Sequence, residues 1–443
     1  MKLTIFRSSK GDSLLISHPD GNGKNNHVLV DGGMTTSFKE SVAPYLHKEI
    51  KEKGEVIDLL CVSHIDDDHI VGVLVLLELV AQWRVYRHHK STNSTANVPQ
   101  PKIAEAPPIT SIWHNSFAET YDLGEALPRV AQALQNVEQM TADFTNNSLF
   151  DTINHKAASI KKAITLSQRI RPEQLNIPLN PQYYGKLVKC NQRSIHKNEQ
   201  QIGTINLSVI GPFSADLTDL KEKWIKWEKA HRQELQAFYA DLSLTALNQP
   251  LSMSQLSQLL LRSGTVSDLG NRAKVSIPNL ASIMFLVEAD EKTILMTGDG
   301  HSDDILKGLK KNKKLSSKET LHVDVLKIQH HGAGANIDAD FCKKITADHY
   351  VFCGNGSHDN PEEAVIEMLY SSRRGTADQK SANQETDRPF TFWFSANPGD
   401  SLTDGQKEHL AKVAAKLADF KSQHPGFEYK FMPLNKQSQT IDL

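Results

Sequence analysis

The segment Ser63-His64-Ile65-Asp66-Asp67-Asp68-His69 places two imidazoles and three carboxylates within six residues. The run 57–62 before it is short and apolar, as in a buried strand, and the run 70–81 after it is apolar enough for a buried helix. So many polar groups at the edge of a core cost free energy, and metal ions can compensate that cost. The sequence therefore predicts a metal site between a strand and a helix. The alternative, a solvated acidic loop, is disfavoured by the apolar flanks.

The spacing within this segment predicts which side chains face a metal ion. His64 and Asp66 alternate along an extended loop and can face one ion, while Asp68 and His69 can turn toward a second. Asp67 is expected to point to solvent. Nitrogen and oxygen donors together suit zinc, manganese or iron better than calcium.

Three more polar clusters each follow a predicted strand. The first is Thr297-Gly298-Asp299, the second is Gln329-His330-His331-Gly332, and the third is the loop 355–361, which contains His358. Asp299 is either a metal ligand or a turn former in Thr-Gly-Asp-Gly. His358 is either a loop histidine or a group that donates to a phosphate-like oxygen or protonates a leaving group, because imidazole titrates near neutral pH.

Taken in order, these motifs resemble the metallo-β-lactamase fold hydrolases. The pattern His64-x-Asp66-x-Asp68-His69 is similar to their His-x-His-x-Asp-His signature, with aspartate in place of the second histidine. That variant, together with Lys327-Ile328-Gln329-His330-His331-Gly332, looks like the hydrolase domains related to ComEC, a family of bacterial DNA-uptake proteins. The segments 10–16 and 29–33 fit the opening hairpins of the same family.

The resemblance implies a binuclear centre in which Asp299 bridges the two ions. It also implies that one residue of the His330-His331 pair binds metal, and we favour His330, where the strand ends. His114 is a candidate for the third histidine that many family members have. The predicted metal ligands are His64, Asp66, Asp68, His69, Asp299, His330 and His331.

The resemblance further implies a hydrolase whose nucleophile is a metal-bound hydroxide. Asp66 and Asp68 are candidates to accept its proton, and His358 completes the predicted catalytic residues. Zinc is the metal expected for the fold, and manganese is the alternative because Asp66 makes the donor set harder than an all-histidine set. The expected cofactors are two divalent ions.

The predicted architecture is α/β, a four-layer αββα metallo-β-lactamase fold with helical insertions. Alternating apolar strands and turns open the chain, and strand-like runs return after residue 281. We expect a hydrolase domain at 1–372, helical insertions at about 117–200 and 214–272, and a C-terminal extension at 373–443 that packs on the domain.

Composition excludes some classes of function. The chain has 443 residues and a formal net charge of -2, so no global positive field indicates a nucleic-acid binder. Its four cysteines are scattered, which predicts reduced thiols, and neither a signal-peptide h-region nor a run of about 18 apolar residues stands out. We therefore expect a cytoplasmic protein without a membrane span. Local basic tracks remain as candidates at 310–314 and at Arg373-Arg374.

Three functions of different classes agree with these observations. The first is a phosphodiesterase or nuclease acting on nucleic acid or another phosphodiester. The second is a hydrolase of another ester, such as a lactone, thioester or phosphocholine ester. The third is an effector or scaffold whose helical insertions bind a protein partner.

Overall fold

The computed structural model describes residues 1–92, 98–115, 162, 165–219, 222, 271–316 and 318–443. Most of both predicted helical insertions lies outside these residues. The described strands form two sheets, one of six strands and one of eight.

The smaller sheet has the order β14-β1-β2-β3-β4-β5. Its first three pairings are antiparallel, whereas β3 with β4 and β4 with β5 are parallel. The parallel pairs bring the ends of β3, β4 and β5 to one edge. The strands are β1 (Lys2–Phe6), β2 (Leu14–Pro19), β3 (Asn25–Val30), β4 (Leu59–Cys61), β5 (Ile112–Trp113) and β14 (Ser438–Asp442).

The larger sheet has the order β13-β12-β11-β10-β9-β8-β7-β6. Strands β9 to β13 are parallel to their neighbours, and β6 to β9 are joined by antiparallel pairings. The strands are β6 (Glu199–Ile202), β7 (Ile205–Gly211), β8 (Met284–Ala289), β9 (Lys292–Met296), β10 (Leu321–Lys327), β11 (Ile345–Phe352), β12 (Phe390–Phe394) and β13 (Phe427–Phe431).

In the described part of the chain, helical segments accompany the sheets, besides short helical stretches at 165–169 and 214–219. The first, α1, spans 35–51 and consists of the consecutive turns Thr35–Ser37, Phe38–Val42, Ala43–Leu46 and His47–Lys51, in which α and π hydrogen bonding alternate. The others are α2 (Asp67–Ser91), α3 (Ile277–Leu280), α4 (Ser302–Lys311), α5 (Ala339–Lys344), α6 (Glu363–Arg374) and α7 (Asp404–Gln423).

Three separate apolar clusters show that the elements form four layers. Because side chains alternate along a strand, Leu14 and Ile16 of β2 point to the core between the sheets, while Leu15 points to the helices α1 and α2. A third cluster packs α4, α5, α6 and α7 on the outer face of the larger sheet. The predicted αββα fold is confirmed.

Helix α2 approaches the smaller sheet through two glycines. A Cβ on Gly72 would lie 2.0 Å from the carbonyl oxygen of Gly32, so a side chain at either position would separate the helix from the loop after β3. Glycine at position 72 therefore permits this close approach. By length and composition alone α2 could span a membrane, but Ile70, Val73 and Leu76 are buried in the core of this fold.

The segment 373–443 contributes to both sheets. Residue 373 lies within α6, β12 and β13 continue the larger sheet, and β14 pairs with β1 at the edge of the smaller one. The two C-terminal strands of the larger sheet are covered by α7. These residues therefore complete the sandwich and are not an added layer on its surface.

The described part of the first insertion is α-helical only at residues 162 and 165–169. Residues 171–198 contain turns and two short 3₁₀ segments, Pro181–Tyr183 and Ile195–Lys197. Hydrogen bonds from this stretch to the backbone of Ile112 fix it against the end of β5. Prolines between residues 169 and 180 interrupt the helical pattern in this part of the insertion.

Candidate metal centre

Four histidines surround one carboxylate oxygen at the edge where β4, β9 and β10 end. Asp299 Oδ2 lies 3.3 Å from His69 Nε2, 3.7 Å from His64 Nε2, 3.8 Å from His331 Nε2 and 3.9 Å from His330 Nε2. Residues more than 200 positions apart in the chain thus face one point. We call these five residues the central cluster.

Two atoms of the central cluster have the environment expected of metal ligands. His64 Nε2 and His69 Nε2 are buried, and neither has a hydrogen-bond partner among the described residues. A buried nitrogen without a partner costs free energy, which a metal ion would recover. His64, His69 and Asp299 are one group whose donor atoms lie within 4.8 Å of one another, and Asp12, His69 and His331 are another. The residues therefore fit the divalent ions that the sequence predicts.

Asp31 orients the two histidines of the first motif. Its Oδ2 accepts from Ser63 Oγ at 2.6 Å and lies 2.8 Å from His69 Nδ1, which must therefore carry the proton. Because the Ser63 hydroxyl donates to Asp31, it can only accept from His64 Nδ1, 3.0 Å away. This is the arrangement in which an outer carboxylate fixes the tautomer of a ligating histidine, and with metal bound it would leave the Nε2 atom of each ring free to bind the ion.

The loop after β10 holds its histidines in a strained backbone conformation. His330 and His331 have φ values of 45° and 57°, in the left-handed region that non-glycine residues rarely adopt, and Gly332 follows at 91°. The turn aims both Nε2 atoms at Asp299. His330 Nδ1 lies 2.8 Å from Asn336 Oδ1, and its ring is about a third exposed.

His331 is more deeply placed than His330. Its side chain is 8% exposed, with Nδ1 3.2 Å from Asp12 Oδ1 and Nε2 3.2 Å from Asp68 Oδ2. His331 belongs to one of the compact donor groups, whereas His330 belongs to neither. The geometry thus favours His331 over our sequence-based preference for His330, and the assignment stays a prediction.

The three aspartates that begin α2 have different surroundings. Asp66 precedes the helix, is about a third exposed, and has its Oδ2 3.8 Å from His64 Nε2. Asp68 faces His331. Asp67 was expected to point to solvent, which is wrong, because it is 17% exposed and forms a 2.7 Å ion pair with Lys162.

Burial and neighbouring charges divide the histidines into two classes. Burial, with the nearby His69, lowers the pKa of His64 to about 3. Burial would also lower the pKa of His331, but Asp299 and Asp12 raise it to about 9, and Asp299 and Asp31 likewise raise the pKa of His69 well above its usual value. Without metal, therefore, protons on His69 and His331 compensate the carboxylates.

The pKa values of two carboxylates of the centre, Asp299 and Asp66, are shifted in opposite directions. Burial opposes ionisation of Asp299, but His69 and Lys327 hold its pKa well below the usual range. Burial and the adjacent Asp68 charge instead raise the pKa of Asp66 to about 7. Without metal, Asp66 is thus a carboxylate of the centre whose pKa lies near neutrality.

His114 lies directly after β5, the strand next to β4. Its side chain is 1% exposed, and neither ring nitrogen has a hydrogen-bond partner in the described part of the chain. Burial lowers its pKa to about 3, so the ring is neutral. Its role as a third histidine ligand stays a prediction, because neither compact donor group among the described residues includes it.

His358 lies apart from the central cluster. It is exposed and has a φ of 58° in the 3₁₀ turn Ser357–Asp359. Within the described residues, no hydrogen bond or ion pair joins it to the cluster. The same loop reaches the cluster through Pro361, since a Cβ on Gly332 would lie 2.6 Å from the Pro361 ring. The catalytic role of His358 stays a prediction.

Neither predicted basic track borders the centre. Arg373 is fully buried and donates to the carbonyl oxygens of Thr386 and Arg388, so it holds a loop together. Residues 310–314 lie at the far end of α4, and Lys314 pairs with Glu288. Asp299 lies shortly before the first residue of α4, whereas this basic track lies at and beyond its last turn. Because a helix of ten residues is about 15 Å long, the track lies well away from Asp299.

The comparisons with known proteins agree with this geometry. Residues 11–131 match the model of the metallo-beta-lactamase superfamily. The fold is that of the metallo-β-lactamases. Members of this superfamily are generally metal-dependent hydrolases, so the central cluster is a candidate metal centre of a hydrolase. No curated protein matches the chain, and the finer resemblance to the ComEC-related domains has no support from these comparisons.

Sequence reasoning did not assign a role to several residues that shape the centre. These residues are Asp12, Asp31, Ser63, Lys327 and Asn336. The segments around Asp12 and Asp31 were noted as opening hairpins, and for Asp31 the available signal was a carboxylate directly after the apolar strand β3. Lys327 gave a comparable signal, a charged residue at the end of an apolar strand.

Proposed function

We propose that the chain is a metal-dependent phosphodiesterase or nuclease. The observation that supports this proposal is the convergence of carboxylates and imidazoles on Asp299 Oδ2, with Asp66 and Asp68 beside them. Carboxylate oxygens make the donor set hard, and hard divalent ions prefer oxygen-rich ligands such as phosphoryl groups. Zinc is the first metal to test, and manganese is the second.

Two divalent ions would lower the pKa of a water molecule and withdraw charge from a phosphoryl oxygen. The protein's part is to position these groups and to move protons. His64, His69 and His331 hold their Nε2 atoms near one point, and we assign Asp66, whose Oδ2 lies 3.8 Å from His64 Nε2, as the acceptor of the proton of the attacking water. The partly exposed His330 Nε2 faces the same point from the solvent side.

The overall reaction would consume one water and one phosphodiester. Water oxygen bonds to phosphorus, the bond from phosphorus to the leaving oxygen breaks, and the leaving oxygen takes a proton. His358, exposed on the loop that contacts Gly332, is the proposed donor of that proton. The products are a phosphomonoester and an alcohol.

A substrate screen tests the proposal. Purified protein loaded with zinc or manganese would be assayed on bis-p-nitrophenyl phosphate, single- and double-stranded DNA, RNA and cyclic nucleotides, alongside a panel of chromogenic carboxylic esters, lactones and thioesters. We expect phosphodiester cleavage that chelator abolishes. Asp299→Ala should lower the rate at least about 100-fold, because even outer-shell changes cost 10–100-fold.

Asp303→Ala is the matched control, since Asp303 lies four residues away and its side chain is 67% exposed. It should keep wild-type activity. Cleavage of carboxylic esters alone would support the other-ester hydrolase instead. A metal-free chain that is inert on every substrate and copurifies with a protein partner would support the scaffold. Partner binding through the insertions and a cytoplasmic location stay predictions.

A further inference from the structure

Lys327 lies beneath the central cluster, between two buried carboxylates. Its side chain is 1% exposed, and its Nζ contacts Asp12 Oδ2, lies 3.3 Å from Asp299 Oδ1, and donates to the carbonyl oxygen of Gly298 at 2.8 Å. An ammonium group has three N–H donors, so these contacts use all of them. Lys327, the last residue of β10, is therefore a buried cation beneath the centre, and each of its three N–H groups has a partner.

The two carboxylate oxygens of Asp299 have different partners, and Lys327 is the partner of one of them. Oδ1 faces the ammonium, whereas Oδ2 faces the four histidine Nε2 atoms. The backbone keeps Asp299 in this orientation, because its N–H donates to Ser282 Oγ and its carbonyl oxygen accepts from Asn336 Nδ2. A metal ion in the cluster would thus meet one oxygen of Asp299.

The second carboxylate held by Lys327 orients a histidine. Asp12 Oδ1 lies 3.2 Å from His331 Nδ1, on the side of the ring opposite to Asp299. Asp12 is 2% exposed and its backbone N–H donates to the carbonyl oxygen of Asp68. Lys327 contacts one oxygen of Asp12 and His331 lies against the other, so Lys327 affects the position of His331 through Asp12.

Lys327 is one of the cations that compensate the five carboxylates of the centre. Its ammonium lies against two of them, Asp12 and Asp299, and a divalent ion bound at the cluster would neutralise the same carboxylates. The five carboxylates belong to Asp12, Asp31, Asp66, Asp68 and Asp299.

We propose that Lys327 is a positioning residue that acts as a fixed internal cation of the metal centre, leaving Asp299 Oδ2 for metal ions and orienting His331 through Asp12. This inference rests on the metal centre of the proposed function and not on its substrate. It predicts that metal ions can take over part of the stabilising role of Lys327, since both neutralise the same carboxylates.

Thermal unfolding of Lys327→Met with and without metal tests the proposal. The melting temperature would be measured after chelator treatment and again with excess zinc or manganese. Removing one partner of a buried ion pair leaves an uncompensated charge, so the metal-free variant should melt roughly 5–10 °C below wild type. Metal should restore most of this loss, so the metal-induced rise is larger in the variant than in wild type.

Lys314→Met is the control, because Lys314 pairs with Glu288 at 2.7 Å on the same sheet but far from the cluster. Its small loss of stability should be equal with and without metal. An equal loss with and without metal in Lys327→Met would overturn the proposal, because a purely structural lysine behaves in that way.

The double variant Asp12→Asn/Lys327→Met keeps the test decisive if the single variant does not fold. It removes one carboxylate with the ammonium, so the metal-free protein should melt well above Lys327→Met. A double variant no more stable than the single one would overturn the proposal. None of these measurements uses a substrate, so an unsuccessful substrate screen would contradict the proposed function alone.

Discussion

Asp31 Oδ2 and His69 Nδ1 lie 2.8 Å apart, and the same carboxylate also accepts from the backbone N–H and the hydroxyl of Ser63. The contact is possible because β3 and β4 are parallel and end together, with the N–H of Asp31 donating to the carbonyl oxygen of Cys61. One residue of the opening hairpin thus sets the tautomer of two histidines in the first motif.

Asp31→Asn should weaken metal binding. An amide has one acceptor oxygen in place of two, so it cannot accept from all three donors of Ser63 and His69, and it has no charge; we therefore expect a 10–100-fold loss of metal affinity. Competition with a chromogenic chelator measures it. Asp58→Asn is the control, because Asp58 accepts from the His27 N–H in the same sheet but away from the centre. Equal metal affinity in both variants would contradict the role of Asp31.

The local part of the centre could be predicted from the sequence, and the part that depends on strand pairing could not. His64, Asp66, Asp68 and His69 are contiguous and follow one strand, so their proximity follows from chain geometry. Asp12 and Lys327 meet only because β2 and β10 lie in sheets that face each other. Nothing in the pattern of single strands specifies that contact.

The same distinction applies to the fold. Apolar strands such as Phe390–Phe394 belong to the strand-like runs that the sequence predicts after residue 281. Strands such as Glu199–Ile202 and Ser438–Asp442 were missed, because they are short, polar edge strands whose hydrogen bonds come from a neighbour and not from their own pattern. For the same reason the sequence did not show that the C-terminal segment completes both sheets.

His114→Ala should change the number of metal ions that bind. If His114 supplies the third nitrogen of the site that includes His64, its loss should lower the bound metal from two equivalents to about one while the fold persists. Elemental analysis after dialysis measures the stoichiometry. His349→Ala is the control, because His349 is a partly buried histidine whose Nδ1 accepts from Trp393 in the larger sheet. Two equivalents in His114→Ala would exclude it as a ligand.

Gln406→Ala should impair catalysis without removing metal. Gln406 of α7 donates to Asn355 Oδ1 at 3.2 Å and to Ser357 Oγ at 2.7 Å, so it holds the loop that carries His358 and Pro361. We expect kcat to fall several-fold on the best phosphodiester while metal content stays at the wild-type value, because misplaced groups lower rates without altering ligands.

Gln423→Ala, at the other end of α7, is the control for this loop. It should leave kcat unchanged. A Gln406→Ala variant with wild-type kcat would show that α7 does not support the working geometry of the loop.

Asp348→Asn should destabilise the protein in a pH-dependent way that is separate from the metal centre. Asp348 lies in β11, with Oδ1 3.1 Å from His322 Nε2 and Oδ2 2.6 Å from Arg388 Nη2. Burial would raise its pKa, but the His322 hydrogen bond and the charges of His322 and Arg388 lower it. Because the folded-state pKa is lowered, this carboxylate stabilises the fold above its unfolded pKa of about 3.9, and the contribution is lost as pH falls through the folded value.

The free energy of unfolding should therefore differ between wild type and Asp348→Asn by about 1 kcal/mol near pH 6–7. The difference should shrink as pH falls below about 4, where the carboxylate takes up a proton in the unfolded chain, and it should be lost below the lowered pKa of the folded protein. Urea unfolding of chelator-treated protein at pH 7, 5 and 3.5 measures this difference in free energy. Asp442→Asn is the control, because the Asp442 side chain is 74% exposed. A difference that stays constant over this pH range would mean that Asp348 stabilises the fold through its shape and neutral hydrogen bonds, and not through its charge.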